Sequence, residues 1–290
     1  MRSEQEMLNL ILGVARRDGR VRVMAMNGSR TNPNVQKDMF QDYDIVYLVT
    51  EMESFLKDKS WMDVFGERMI MQMPDKMEMS PSEPLRKRFA YLMQCMDGNR
   101  IDLTLVPLGQ LEAYSKEDKL TVVLLDKDNC MPEVPAPTDE DYWVKQPSAK
   151  LFADCCNEFW WVSPYVVKGL WRKEILYAKQ HLNIVRAMLL RMLEWQVGIE
   201  TAFSVSIGKS GKYLEEYLAK ESWLALLSTY ADGSYEATWQ ALFVACDLFR
   251  QTAMLVAAHF GYDYPEGDDR RVSTYLGRIH ELPAGAMELY

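Results

Sequence analysis

Histidine is scarce in this chain of 290 residues: only His181, His259 and His280 are present. The five cysteines, Cys95, Cys130, Cys155, Cys156 and Cys246, are odd in number and form no C-x-x-C pair. No zinc site can be assembled from so few ligands at these spacings. A bridge between the adjacent Cys155 and Cys156 would be strained. Reduced thiols and a cytosolic location are therefore expected. Basic residues are outnumbered, 33 Lys and Arg against 42 Asp and Glu, giving a net charge of −9. A chain without a basic surplus is not built for non-specific nucleic-acid binding. An acidic cleft would attract a cationic partner, although solubility alone also favours this balance. Long apolar runs are missing too. The most apolar stretch, Ala241 to Phe260, is interrupted by Asp247, Arg250 and Gln251, so it reads as a buried helix and not a membrane span. Met1 to Glu6 lacks the apolar core of a signal peptide. There is no internal repeat or low-complexity tract.

What is present is a globular composition, 48% hydrophobic and 26% charged. Apolar residues at Met7, Leu8, Ile11, Leu12 and Ala15 predict a helix over Ser3–Arg17, ended by Asp18-Gly19. Val21–Met26 reads as a strand entering a turn at Asn27-Gly28, and Asp44–Thr50 as a second strand. A short helix is expected near Ser54–Phe65. Further strands are expected over Arg68–Met73, Arg88–Met96, Ile101–Val106 and Leu120–Leu125. Strands mixed with helices suggest an α/β or α+β unit. Four prolines crowd into Cys130–Ser148, which reads as a linker. Beyond it, helical spacing covers Lys150–Trp161, Tyr165–Leu193 (one helix or two), Lys212–Leu227 and Tyr235–Phe260, with Gly208 and Gly211 between. Two domains are expected, 1–135 with the sheet and 136–290 all helical.

The informative residues lie in the first half. Asp42 and Asp44, at i and i+2 on a strand, share one face, opposite Ile45, Tyr47 and Val49. Asp102 lies between Ile101 and Leu103 on a later strand, where a charged group needs a partner. Three convergent carboxylates repel one another unless a cation sits between them, and a hard divalent ion with open positions for phosphate suits that place. Gly28-Ser29 precedes them in a turn, offering backbone N–H groups and a hydroxyl to an anion, with Arg30 beside it. Metal, phosphate cradle and spare carboxylate together point to nucleotidyl transfer. Asp42 and Asp44 would hold Mg²⁺, and Asp102 would serve as a further ligand, a general base, or both. A lone Asp-x-Asp or Gly-Ser is a weak signal. The order strand, Gly-Ser, Asp-x-Asp, then an Asp inside a later apolar strand is more specific.

The runs 27–34 (NGSRTNPN), 38–46 (DMFQDYDIV), 100–105 (RIDLTL) and 157–162 (NEFWWV) resemble the aminoglycoside 6-adenylyltransferases, or streptomycin adenylyltransferases, over essentially the whole chain. The resemblance implies an α+β protein: a DNA-polymerase-β-like nucleotidyltransferase domain with a mixed sheet, then an all-helical substrate-binding domain. It implies AMP transfer from ATP to the 6-hydroxyl of streptomycin, with Asp42 and Asp44 on Mg²⁺ and Asp102 as base. Gly28, Ser29 and Arg30 would then meet the nucleotide. Lys209 and Lys212, on a glycine turn that lacks Walker spacing, would grip the triphosphate as helical-domain lysines do in related enzymes.

Streptomycin carries two guanidinium groups, which favour paired carboxylates and aromatic faces. Asp154, Glu158, Trp161, Glu174 and Tyr142 are the candidates for that role; a core tryptophan cluster beside a solvated acidic stripe is the plainer account of the same residues. The rival functions are transfer of a nucleotide to another small hydroxyl compound or to a protein, and a non-catalytic nucleotide-binding module. ATP and a cationic aminoglycoside are the expected partners, with no nucleic acid and no membrane.

Overall fold

The Ser3 hydroxyl accepts a hydrogen bond from the backbone N–H of Glu6, and the Glu6 carboxylate accepts from the Ser3 N–H at 2.7 Å. This reciprocal cap starts helix α1 (Glu4–Arg17) where the sequence places it. Met7, Ile11, Val14 and Ala15 form its buried face. They pack on a sheet whose own apolar positions alternate, as half-buried strands require.

A computed structural model describes residues 1–79, 88–283 and 285–288. The chain divides into two units, Met1–Asp141 and Tyr142–Tyr290. The boundary falls later than the expected 135/136 because the proline-rich segment is tied to the first unit. The Asn34 side chain donates to Asp139 at 2.9 Å, and the Lys119 ammonium donates to Glu140 at 2.8 Å.

The first unit holds six strands: β1 (Val21–Asn27), β2 (Tyr43–Val49), β3 (Arg68–Gln72), β4 (Phe89–Cys95), β5 (Arg100–Pro107) and β6 (Val122–Asp126). Their order is β3-β4-β5-β2-β1-β6. β2 and β5 run parallel, and the other pairs are antiparallel. The sheet is therefore mixed and the architecture α+β. Met24, Tyr43, Ile45, Tyr47, Tyr91, Ile101 and Leu103 point into the larger core beneath α1. Val23, Ala25, Val46, Leu48, Val106 and Tyr114 make a smaller cluster on the other face. The helix expected over Ser54–Phe65 is two pieces, α2 (Glu53–Lys57) and a 3₁₀ segment (Ser60–Phe65). Asp58 breaks it: its carboxylate accepts from the Ser60 N–H at 2.9 Å, a local bond that competes with the helix. A short helix, α3 (Leu111–Tyr114), follows β5.

The second unit is helical among its described residues. Helix α4 (Ala149–Trp171) runs through Pro164, where the sequence suggested a break, and α5 (Ile175–Glu200) follows a turn at Lys173, which has φ 62°. A Cβ on Gly169 would stand 3.0 Å from the Ala178 backbone nitrogen, so glycine is what lets these two helices approach. The helix expected over Lys212–Leu227 is instead α6 (Leu214–Tyr217) and α7 (Lys220–Ser228), split by extended backbone at Leu218 and Ala219. Helix α8 (Tyr235–Phe260) ends at Gly261 with φ 69°, the left-handed cap glycine favours. By length and composition α8 alone among the described helices is apolar enough to cross a membrane. Its Leu242, Ala245, Phe249, Ala253 and Val256 are buried in the core of the helical unit. Helix α9 (Glu266–Glu281), not foreseen from the sequence, docks through Asp269, which accepts from Arg250 at 2.6 Å.

Phe249 is fully buried and stacks on Phe159 with ring centroids 3.7 Å apart. Phe249→Ala should cost about 3–5 kcal/mol of stability, read from the midpoint of urea denaturation.

Candidate active site

Strand pairing settles where the acidic residues meet. In the parallel register of β2 with β5, Asp44 stands opposite Asp102; in the antiparallel register of β1 with β2, Asn27 stands opposite Asp44. Directly paired residues share a face. Asn27, Asp44 and Asp102 therefore line one end of the smaller cluster's face, and Asp42 joins them two residues before Asp44. The structure brings together the three aspartates singled out in the sequence.

The turn after β1 is shaped around this group. Gly28 has φ 74°, and a Cβ there would stand 2.9 Å from the Asp44 carboxyl carbon. Only glycine allows backbone and carboxylate to approach so closely. Thr31 closes the turn, its hydroxyl within hydrogen-bond reach of the carbonyl oxygens of Gly28 (2.8 Å) and Leu120 (2.7 Å). The Asn27 side chain is held on both sides: its oxygen accepts from the Tyr114 hydroxyl at 2.7 Å, and its amide donates to Thr121 at 2.8 Å. Ser29 is partly exposed in this turn, and its carbonyl accepts from the Gln41 amide at 3.2 Å.

Arg30 does not face outward beside Ser29. Its guanidinium donates to the carbonyl oxygens of Gln41 (2.7 Å) and Asp42 (3.1 Å) and lies 3.8 Å from the Tyr43 ring centroid. Only 7% of its side chain is exposed. It braces the strand entrance that carries Asp42 and Asp44.

Arg100 is the residue that sequence reasoning left without a role. Nε and Nη2 donate to the two oxygens of Asp102 at 2.8 and 2.7 Å, and Nε lies 3.6 Å from Asp42 Oδ2. Its position two residues from Asp102 on one strand was the available signal. Even with this cation present the site is over-supplied with negative charge. Burial first, then the charges of Asp102 and Asp42, push the Asp44 carboxyl up to about 6. Asp42 is raised as well, by burial first and by Asp102, with Arg100 and Arg30 opposing.

Among the described residues no three His, Cys, Asp or Glu side chains are gathered as a metal cage. The donor chemistry nonetheless fits a hard cation: oxygen donors from three carboxylates, mutually repelling, with the Asp44 carboxyl raised to about 6.

The candidates in the helical unit are dispersed. Lys209 and Tyr142 line a cleft of ≈ 680 Å³ together with Arg191, Glu194 and Tyr230. Burial raises the Glu194 carboxyl there. The Lys209–Gly211 turn is tightly wound, with φ 70° at Gly208 and 59° at Ser210. It leads into a helix of only four residues, α6, too short to present an N-terminal dipole. The Lys212 ammonium lies 4.8 Å from the Tyr213 ring centroid. Trp161, 62% exposed, lines a separate hollow of ≈ 420 Å³ with Tyr165, Lys168 and Arg271, so it does not share a cleft with Tyr142. Asp154 is paired with Lys150 at 2.6 Å, Glu158 is exposed, and Glu174 is the exposed residue immediately before α5.

A family model described as streptomycin adenylyltransferase matches residues 1–279. The aminoglycoside 6-adenylyltransferase of Campylobacter jejuni is 46% identical over 279 residues, covering 96% of this chain and 96% of the relative. That of Bacillus subtilis (strain 168) is 46% identical over 271 residues, covering 93% and 95%. That of Staphylococcus aureus is 41% identical over 283 residues, covering 97% and 100%. A crystal structure of an aminoglycoside 6-adenyltransferase from Bacillus subtilis is similar at 42% identity, with 97% of this chain and 99% of that one covered and a TM-score of 0.47.

Two outcomes follow from this geometry. Gly28→Ala must displace either the turn or Asp44, and should lower turnover about a hundredfold, measured as product formed per enzyme. The raised Asp44 value means that, without metal, folding favours the neutral acid. Its contribution is complete below the ordinary 3.8 and is lost as pH rises through about 6. In chelator, Asp44→Asn should therefore melt above the native protein at neutral pH, with the gap closing as the solution is acidified; a gap independent of pH would contradict the assignment.

Proposed function

The chain belongs to the streptomycin adenylyltransferase family, and from that membership we propose that it inactivates streptomycin, transferring AMP from ATP to the 6-hydroxyl and releasing pyrophosphate. The single observation that supports this most is the cross-strand pairing of Asp44 with Asp102, with Asp42 on the same face. Nucleotidyl transfer is chiefly a matter of alignment and charge, and this sheet end offers fixed groups for both.

In this reading Asp42, Asp44 and Asp102 would hold Mg²⁺, which would supply positive charge for the triphosphate oxygens. The turn at Gly28 and Ser29 presents backbone N–H groups and a hydroxyl to the phosphates. Arg30 acts indirectly by holding the backbone at Gln41 and Asp42. Asp102 accepts the proton of the acceptor hydroxyl as that oxygen attacks the α-phosphorus and the bond to pyrophosphate breaks. The net charge of −9 favours approach of a cationic aminoglycoside. In the helical unit, Lys209 in its cleft is the candidate for the nucleotide, with Lys212 nearby in sequence. Glu158, Trp161, Asp154, Glu174 and Tyr142 are candidates for the acceptor; of these Trp161 and Tyr142 line hollows. A cytoplasmic location accords with five free thiols, four of them buried.

The test is a panel of hydroxyl acceptors with labelled ATP, read as pyrophosphate released and label transferred. Streptomycin should be labelled at the 6-position and lose activity. Label on another acceptor alone would move the function to a different substrate, and no pyrophosphate with any acceptor would point to a binding module. Asp102→Asn should lower kcat by about 10²–10⁴, the range expected for loss of a general base. Excess chelator should abolish transfer.

A further inference from the structure

Arg100 stands where the proposed metal and the proposed base need room. Its fork engages both Asp102 oxygens, at 2.8 and 2.7 Å, and its Nε also approaches Asp42 at 3.6 Å. A bidentate guanidinium pair occupies one lone pair on each carboxylate oxygen, which leaves only the outer lone pairs to a metal and weakens the group's capacity to take a proton. A guanidinium is always charged, so it cannot yield by losing a proton. A divalent cation among the same oxygens would also repel it at close range. Metal and guanidinium therefore compete for one set of oxygens.

The surroundings leave Arg100 able to leave. Its side chain is 40% exposed, against 18% for Asp102 and 33% for Asp42, so the guanidinium lies on the solvent side of the carboxylates. Its guanidinium contacts are to these two aspartates. Arg30, by contrast, is 7% exposed and fastened to two carbonyl oxygens. The two arginines near the site are built differently, one as a fixed brace and one as a movable counter-charge.

We propose that Arg100 is a displaceable internal cation: it pairs with Asp102 and Asp42 while the site is free of metal, and swings away when metal enters with the nucleotide. This rests on the metal reading proposed above. Arg100 is then a positioning residue that acts through Asp102. It offsets carboxylate repulsion in the free protein, and it holds Asp102 out of service until the metal arrives.

The test is Mn²⁺ binding by electron paramagnetic resonance, with metal alone and with a non-hydrolysable ATP analogue, on native protein, Arg100→Met and Arg100→Lys. Removing the competitor should tighten Mn²⁺ binding by about fivefold to tenfold in Arg100→Met. Arg100→Lys keeps the charge but loses the fork, so it should fall between the two. In chelator Arg100→Met should melt below the native protein, and saturating Mn²⁺ should raise its melting temperature by more than it raises the native one. Equal or weaker Mn²⁺ binding in folded Arg100→Met overturns the proposal. Should that variant not fold, Mn²⁺ binding by Arg100→Lys no tighter than native overturns it instead. Absence of Mn²⁺ binding by every protein, with and without the analogue, overturns the metal reading and this inference with it.

Discussion

The parallel pairing of β2 with β5 is the constraint on which the site depends. Asp44 and Asp102 are far apart along the chain, and each is an ordinary carboxylate in isolation. The register that sets Tyr43 against Ile101 and Ile45 against Leu103 buries those apolar pairs beneath α1. Because side chains alternate, the residues between them are turned to the other face together. A slip of one residue would turn Asp44 into the core beneath α1 and Ile45 towards the acidic face. Burial of the apolar set thus enforces convergence of the acidic set, and the cost of crowding like charges is carried by the hydrophobic face behind them.

That cost is visible in how the surroundings respond. Asp44 is driven towards neutrality by burial and by its two neighbours. Arg100 covers Asp102 and approaches Asp42, while Arg30 is spent on the backbone that leads to Asp42 and Asp44. Gly28 leaves Asp44 the space that a side chain would occupy, and Asn27, pinned by Tyr114 and Thr121, holds the turn in place. In the proposed reading, the freedom of this site lies in Arg100, whose side chain is 40% exposed.

The helical unit rests on a different principle. It is held by the aromatic packing of Phe159, Trp160 and Phe249 and by close approach of α4 and α5 at Gly169. One of its hollows lies between α4 and α9, and another between α5 and the Lys209 turn. The Lys209 turn is wound through positive φ angles that place Lys209 and Arg191 on the same cleft as Glu194, a mixed-charge lining. None of those three residues is conspicuous beside the others in a linear reading.

Local patterning was enough for much of the architecture. Alternation marked β2 and β5 and put Asp42, Asp44 and Asp102 on polar faces. Apolar spacing marked α1 and α8. The motifs 27–34, 38–46 and 100–105 carried the family likeness. Breaks set by tertiary context were not legible in this way: α4 continuing through Pro164, the division of 54–65 at Asp58, and the docking of α9 through Asp269. Nor were side-chain partnerships, because Arg30 and Arg100 are both arginines beside an acidic motif, and only packing shows that one is buried against carbonyls and the other faces solvent. The sequence by itself determined which residues are candidates for the chemistry, since hydrophobic period and residue type are local properties. The tertiary structure alone decided which charge meets which, since that depends on register, burial and approach between segments distant along the chain.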